Sequence, residues 1–179
     1  MKDWNVVVTV HDGGYAKALQ LLPQFGPVNK TPFYNILLMQ TTDERQLLEE
    51  LNELTAREPA STSPLARVMP VIYTFTFQSP MEFETKARQT VSNWLPTLAG
   101  KGFHVRMHRR GFKGELSSMD EERFLDQYLL DALTLAGTPG HIDFTNPDAV
   151  IALETIGPQA GLSLWTWADL QRYPLLHLD

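Results

Sequence analysis

The chain has 179 residues, no cysteine and a formal net charge of −6 at pH 7. Its apolar content of 43% and charged content of 20% are those of an ordinary globular protein, and its length allows one domain or two small ones. The lack of cysteine excludes disulfides, thiol catalysis and cysteine-ligated zinc. Because no apolar stretch approaches the roughly 20 residues that span a bilayer, and no signal-peptide layout follows Met1, we expect a cytoplasmic protein without a membrane partner.

The first 78 residues alternate strand and helix patterns. β-branched and apolar runs predict strands, and apolar residues at helical spacing predict helices. Asp43 is placed to cap the second helix, whose leucines recur on one face. The elements are, in order, a strand over residues 4–10, a helix over 15–25, a strand over 33–39, a helix from 45, and a strand over 68–77 bent near Pro70. This order favours an α/β sandwich.

The second part continues the same alternation of patterns. Ser79 with Pro80 resembles a helix start, and Ser117 or Ser118 can begin a long helix through a capping box. An apolar run on both faces over residues 149–156 predicts a central strand. The remaining elements are a strand over 103–108, a short strand over 142–144, a strand over 162–167 and a terminal helix over 168–173.

Between Thr85 and Gly114 the chain carries seven Lys or Arg residues and no Asp or Glu, whereas all 21 acidic residues lie elsewhere. Such segregation creates a local positive field that can hold a polyanion. In its densest part, Phe103, Val105 and Met107 alternate with polar residues, so the basic side chains of this strand share one face. A solvated strand edge guarded against aggregation is the alternative reading.

A glycine-bounded loop follows that strand. Its Gly-x-x-Gly segment, from Gly111 to Gly114, lets backbone N–H groups approach a phosphate, although a plain flexible loop is an equally good interpretation. We expect Arg109, Arg110 and Lys113 to supply the main contacts to phosphates, and the path to be extended by further bases: Arg106, Lys101 and Lys86.

Two stretches resemble the THUMP domain, an RNA-binding module of tRNA-modifying enzymes. One is Phe103-x-Val105 followed by Arg109-Arg110 and a serine-initiated helix. The other covers residues 142–156, in which a short strand, the turn Asn146-Pro147-Asp148 and an apolar strand ending in an acid follow one another. The resemblance covers residues 79–179, and residues 1–78 look like the ferredoxin-like domain that precedes THUMP. It implies an α/β fold of two small domains, a ferredoxin-like N-terminal domain (1–78) and a THUMP domain (79–179).

The resemblance also implies a function. The chain ends soon after its last predicted strand, as in the stand-alone THUMP proteins that hold tRNA for a separate cytidine acetyltransferase. It therefore implies a tRNA-binding protein that contacts tRNA near its acceptor end and presents it to a modifying enzyme in trans. A protein-interaction subunit whose basic face docks on an acidic protein is the alternative.

No catalytic constellation is visible in the sequence. Phosphate-loop and dinucleotide fingerprints are missing, and the five histidines are scattered without metal-site spacing. His11 with Asp12 could mimic an acid–base pair, but a turn explains them more simply. Glu154 could pair with one of the arginines, and Trp165 and Trp167 are expected to pack beneath the terminal helix rather than stack on bases. We therefore expect no enzyme, no cofactor and no metal.

Overall fold

The computed structural model describes residues 3–178 and divides the chain into two compact units. One unit comprises Met1–Val71 together with Leu170–Asp179, and the other comprises Ile72–Asp169. Both contain helices and sheets, so the predicted α/β class is confirmed. The sequence had placed the domain boundary between residues 78 and 79, and the assignment of those two ranges as domains stays a prediction. Within residues 3–178, no helix is long and apolar enough to cross a membrane.

The first unit has the order β-α-β-β-α-β. Its elements are β1 (Val6–Val10), α1 (Tyr15–Leu21), β2 (Val28–Lys30), β3 (Ile36–Met39), α2 (Glu44–Arg57), the short α3 (Pro59–Thr62) and β4 (Leu65–Pro70). The strands form one antiparallel sheet in the order β2-β3-β1-β4. This is the ferredoxin-like arrangement that the sequence predicted, completed by a strand, β2, that it did not reveal.

The second unit contains a five-stranded mixed sheet in the order β5-β9-β8-β6-β7. Its strands are β5 (Tyr73–Thr76), β6 (Gly102–His108), β7 (His141–Ile142), β8 (Ala149–Ile156) and β9 (Gln159–Thr166), and its helices are α4 (Pro80–Val91), α5 (Leu95–Leu98) and α6 (Ser118–Leu135). A last helix, α7 (Trp167–Arg172), follows β9. The predicted helix starts are confirmed, because Ser79 accepts a hydrogen bond from the backbone N–H of Glu82 and Ser117 accepts one from that of Asp120.

The single strand predicted over residues 68–77 is wrong. The chain forms β4 and β5 there, and the two strands belong to different sheets. Pro70 ends β4, and β5 pairs with β9 from Tyr73 onwards. The strand pattern shows no change of sheet at this point, because residues on both sides of Pro70 are of β-forming types.

Two carboxylates of α6 cover the outer edge of β6. The neighbouring strand β7 pairs only with Gly102 and Phe103, so the next outward-pointing amides need other acceptors. The N–H of Val105 donates to Asp126 Oδ1 at 2.9 Å, and the N–H of Met107 donates to Glu122 Oε2 at 2.8 Å. Asp126 is only 8% exposed, and this burial raises the pKa of its carboxyl to about 7.

The first prediction concerns Asp126. Its pKa is higher in the folded than in the unfolded chain, so its contribution to stability is present at low pH and is lost as the pH rises through about 7. Asp126→Asn keeps an acceptor for Val105 and removes the charge. Relative to the variant, the wild type should therefore lose about 2–3 kcal/mol of unfolding free energy between pH 5 and 8. Urea unfolding at both pH values measures this difference, and a constant difference would contradict the account.

Candidate nucleic-acid interface

The predicted alternation along β6 is confirmed. Phe103, Val105 and Met107 are buried, and the polar residues between them, His104, Arg106 and His108, remain partly exposed. The apolar side chains join the core of the second unit, while the other face presents one arginine and two histidines. The strand therefore has the half-buried geometry that its period of two indicated.

Two of the predicted phosphate contacts lie beside carboxylates. Arg106 is 40% exposed, and its Nη1 lies 3.5 Å from Glu122 Oε2. The Nζ atom of Lys86 donates to Glu82 Oε1 at 2.9 Å and to the Thr76 carbonyl at 2.6 Å. The Lys86 hydrogen bond lowers the pKa of Glu82, so this carboxyl is ionised at neutral pH. Both cations are thus partly neutralised by a neighbour of opposite charge.

The Arg110 side chain contacts a buried carboxylate. Its Nη1 lies 3.3 Å from Oε1 of Glu154, which is fully buried on β8, and His108 Nδ1 lies 3.2 Å from Oε2 of the same carboxylate. The Arg110 side chain is 13% exposed. Glu154 as a partner of an arginine is confirmed, whereas a solvated Arg110 in an open loop, as the sequence suggested, is not what the structure shows. Its role as an RNA contact stays a prediction.

Backbone hydrogen bonds also attach Arg110 to the end of β8. The N–H of Arg110 donates to Thr155 Oγ1 at 2.9 Å, and the N–H of Gly157 donates to the Arg110 carbonyl at 2.8 Å. Both partners belong to the end of β8 and the turn that follows it. The chain therefore leaves β6 in a fixed direction, and the next residues project from a rigid base.

We call residues 109–116 the basic loop. Three of its residues have positive φ: Gly111 (93°), Phe112 (52°) and Gly114 (83°). The Phe112 ring packs against Phe77 with centroids 4.9 Å apart, which fixes the middle of the loop. The loop closes when the amides of Glu115 and Leu116 both donate to the Phe112 carbonyl. The plain flexible loop considered from the sequence is thus an anchored turn.

The basic loop presents unpaired donors. Over the described residues 3–178, no backbone or side-chain acceptor bonds the four successive N–H groups of residues 111–114. Lys113 is exposed and has no ion-pair partner in that part of the chain, and Arg109 Nη1 donates to the Gly111 carbonyl. Backbone amides beside cations bind anions well, because they supply both charge and directed donors.

The structure does not bring all predicted contacts together. Lys101 precedes the first residue of β6, whereas Arg109 follows its last, and a strand of seven residues spans about 20 Å. Lys86 lies at the loop end, because its partner Thr76 pairs with Gln159 at the start of β9. The predicted contacts therefore separate into a cluster around the basic loop and an exposed Lys101 at the opposite end of the strand.

A polar cavity of about 560 Å³ adjoins the basic loop, and sequence reasoning missed it. Arg109, residues 114–116 and the first turn of α6 line it. Glu121 is 6% exposed there, and its Oε2 lacks a hydrogen-bond partner among the described residues. Burial, and next the nearby Glu84, raise the pKa of Glu121 to about 7. Nothing in the local sequence marks this glutamate, because its burial depends on packing between α6 and α4.

Other sequence candidates have structural explanations. Asp12 Oδ1 accepts hydrogen bonds from Tyr34 Oη and Asn35 Nδ2, both at 2.8 Å, as expected for a turn residue rather than one half of a catalytic pair. Trp165 is buried and Trp167 is 42% exposed. The predicted strand over residues 162–167 extends one residue too far at its end, because β9 ends at Thr166 and Trp167 begins α7. Within residues 3–178, no group of three His, Asp or Glu is arranged to hold a metal ion.

Comparisons with known proteins show likeness of fold. No family model matches the chain, and no curated protein matches it. The solved structure of PH1313 from Pyrococcus horikoshii superposes with a TM-score of 0.59 at 12% identity, covering 89% of this chain and 53% of that one. TrmN from Thermus thermophilus superposes with a TM-score of 0.59 at 15% identity, covering 89% of this chain and 44% of that one. A 4-thiouridine synthetase, solved with RNA and ATP, superposes with a TM-score of 0.53 at 12% identity, covering 91% of this chain and 42% of that one.

These likenesses bear on two expectations. PH1313 is a THUMP-domain protein and the synthetase contains a THUMP domain, which supports the THUMP resemblance at the level of fold. The chain spans about half, or less, of each of these solved chains. Three further neighbours bear the names of methylases or a methyltransferase. The expectation that the chain is not an enzyme is therefore wrong as it stands, because its fold recurs within larger enzyme chains.

The second prediction separates the two adjacent arginines. Arg110→Met leaves the buried Glu154 carboxylate without its guanidinium and should lower the unfolding free energy by about 3 kcal/mol. Arg109→Met is the matched control and should cost about 1 kcal/mol or less, since its guanidinium bonds a loop carbonyl and pairs with no carboxylate among residues 3–178. Thermal and urea unfolding of the two variants measure both costs. Equal losses would show that Glu154 does not depend on Arg110.

Proposed function

We propose that this chain binds tRNA and presents it to a tRNA-modifying catalytic centre. The observation that carries the proposal is the basic loop, in which four unpaired backbone amides stand beside Lys113 and Arg109 on a base fixed by Glu154. Phosphate oxygens are strong acceptors with negative charge, so they match both features. The likeness of fold to a synthetase solved with RNA supports RNA as the source of the phosphates.

The finer part of the proposal concerns what the tRNA is held for. The THUMP resemblance favours contact near the acceptor end and a modifying enzyme that acts in trans, such as a cytidine acetyltransferase. A catalytic centre on a longer version of the chain would use the same interface, as the partial coverage of its fold neighbours illustrates. In either case the chain's own task is to hold the RNA in one orientation.

The charge distribution fits this task. The chain as a whole is acidic, yet seven of its fifteen Lys and Arg residues lie between Thr85 and Gly114, a segment without Asp or Glu. Within that segment Arg106 and Lys86 are neutralised in part by Glu122 and Glu82. The positive charge that remains there lies on the basic loop, at Lys101 and at the exposed Arg88 of α4, which restricts the orientations that a polyanion can take.

The third prediction tests charge-driven binding of tRNA by the intact protein. If about five phosphates are neutralised, a plot of the logarithm of the association constant against the logarithm of the salt concentration should have a slope of roughly −3 to −5. Fluorescence anisotropy with labelled tRNA at several salt concentrations measures the slope. No binding at low salt, or a slope near zero, would refute the proposal.

The fourth prediction locates the contact. Lys113→Glu reverses an exposed charge of the basic loop and should weaken tRNA binding about tenfold or more, with a shallower salt slope. Arg123→Glu makes the same change of charge at an exposed position on α6 and should have a much smaller effect. Both variants should unfold at the wild-type temperature, since exposed substitutions change stability little. Equal affinities of the two variants would place the RNA elsewhere.

A further inference from the structure

An aromatic side chain stands exposed at the end of β6 opposite the basic loop. Phe144 lies between β7 and β8 and is 72% exposed, although phenylalanine usually contributes to a core. Its segment is well ordered by hydrogen bonds: Asp143 Oδ1 accepts from the amides of Thr145 at 3.0 Å and Asn146 at 2.9 Å. The exposure is therefore a property of a fixed turn.

The same turn is attached to the first residue of β6. The amide of Asp148 donates to the Gly102 carbonyl at 2.8 Å, and the amide of Gly102 donates to Asp148 Oδ2 at 2.9 Å. The amide of Asp143 donates to the Phe103 carbonyl at 3.1 Å. Phe144 is thus held at both sides of its loop against the strand that carries the basic residues.

A histidine supports the ring. The centroids of His104 and Phe144 are 5.2 Å apart with an interplanar angle of 48°, and His104 Nδ1 lies 2.9 Å from the Asp143 carbonyl oxygen. The histidine is fixed by that contact, so the phenyl ring has a defined position. Most of its surface faces solvent. A preorganised, exposed ring of this kind loses little conformational entropy when a flat group stacks on it.

One exposed base lies near the ring. Lys101 is exposed, and its carbonyl accepts from the amide of His141, whose strand β7 precedes the turn. The two carboxylates of the turn, Asp143 and Asp148, accept backbone amides, and the amides of Asn146 and Thr145 lower the pKa of Asp143. The ring itself is the feature that suits a nucleobase, because an exposed aromatic face stacks on any unpaired base.

We propose that Phe144, supported by His104 and flanked by Lys101, stacks on an unpaired nucleobase of the bound RNA. This inference rests on the proposed RNA-binding function and extends it with a second contact, about one strand length from the basic loop. The basic loop would hold phosphates without regard to base pairing, whereas the Phe144 site requires a base that has left its helix. The two contacts together would fix the direction of the RNA along β6.

The test uses the full chain and three variants. Phe144→Ala removes the ring, Phe144→Trp keeps a stacking surface, and Met81→Ala is the matched control, since Met81 is an exposed apolar residue (80%) on α4. Each protein is titrated with a tRNA transcript that carries 2-aminopurine at one unpaired position at a time, and with a blunt-ended RNA duplex without unpaired bases. Fluorescence reports stacking, and anisotropy reports affinity.

With wild type, Phe144→Trp and Met81→Ala, we expect one 2-aminopurine position to be quenched. Phe144→Ala should lose that quenching and bind tRNA about 5-fold to 150-fold more weakly, the range that base–aromatic stacking gives. Its affinity for the duplex and its salt slope should equal those of the wild type, because no charge has changed.

Four results would overturn the inference. Unchanged tRNA affinity and quenching in Phe144→Ala would show that the ring does not touch RNA and leave the proposed function intact. An equal loss on the duplex, or a failure of Phe144→Trp to restore quenching, would show that the residue acts by shaping the fold. Wild-type protein that binds neither RNA would remove the proposed function itself, and the stacking site with it.

Discussion

The candidate interface depends on one buried carboxylate. Glu154 is fully buried on the central strand β8, where an isolated charge would be costly. Its two oxygens lie 3.3 Å from Arg110 Nη1 and 3.2 Å from His108 Nδ1, where the neighbouring parallel strand β6 ends, and the guanidinium supplies the opposite charge. Because removing either side of such a pair leaves the other uncompensated, the interaction fixes where β6 ends and how the basic loop leaves it. The loop can present unpaired amides only because its base is held in this way.

The same logic explains how a basic strand is accommodated in an acidic protein. Glu122 and Asp126 on α6 accept the outward amides of β6, and Glu122 also lies beside Arg106. The helix therefore closes the sheet edge with side chains and lowers the positive charge of the strand itself. What remains positive in this segment lies in the basic loop, at Lys101 before β6 and at the exposed Arg88 of α4. The positive charge is thus divided among separate sites and does not form one continuous patch along the strand.

Local chemistry made part of this structure predictable. The alternation of Phe103, Val105 and Met107, and the helix caps at Ser79 and Ser117, depend on neighbours within a few residues, and the structure confirms them. The order of strands and helices in the first unit was also accessible, apart from the three-residue β2, which is too short to show a period.

Contacts between residues far apart in the sequence could not be predicted from the sequence alone. Arg109 and Arg110 are adjacent and chemically identical, yet Arg109 bonds a carbonyl of the loop and Arg110 pairs with the buried Glu154, which lies 44 positions away. The burial of Glu121 and the separation of β4 from β5 likewise depend on which elements pack together. Charge counted along the sequence identifies a basic segment. It could not show that its members would lie at opposite ends of a strand.

The central claim is that the backbone amides of the basic loop hold RNA phosphate. Amide chemical-shift mapping of the intact protein with tRNA, at low and at high salt, tests it most directly. The account predicts that the largest shifts fall on residues 111–114, that they saturate with tRNA at low salt, and that they diminish at high salt as phosphate contacts are released. Saturating shifts elsewhere, with the amides of residues 111–114 unmoved, would contradict it.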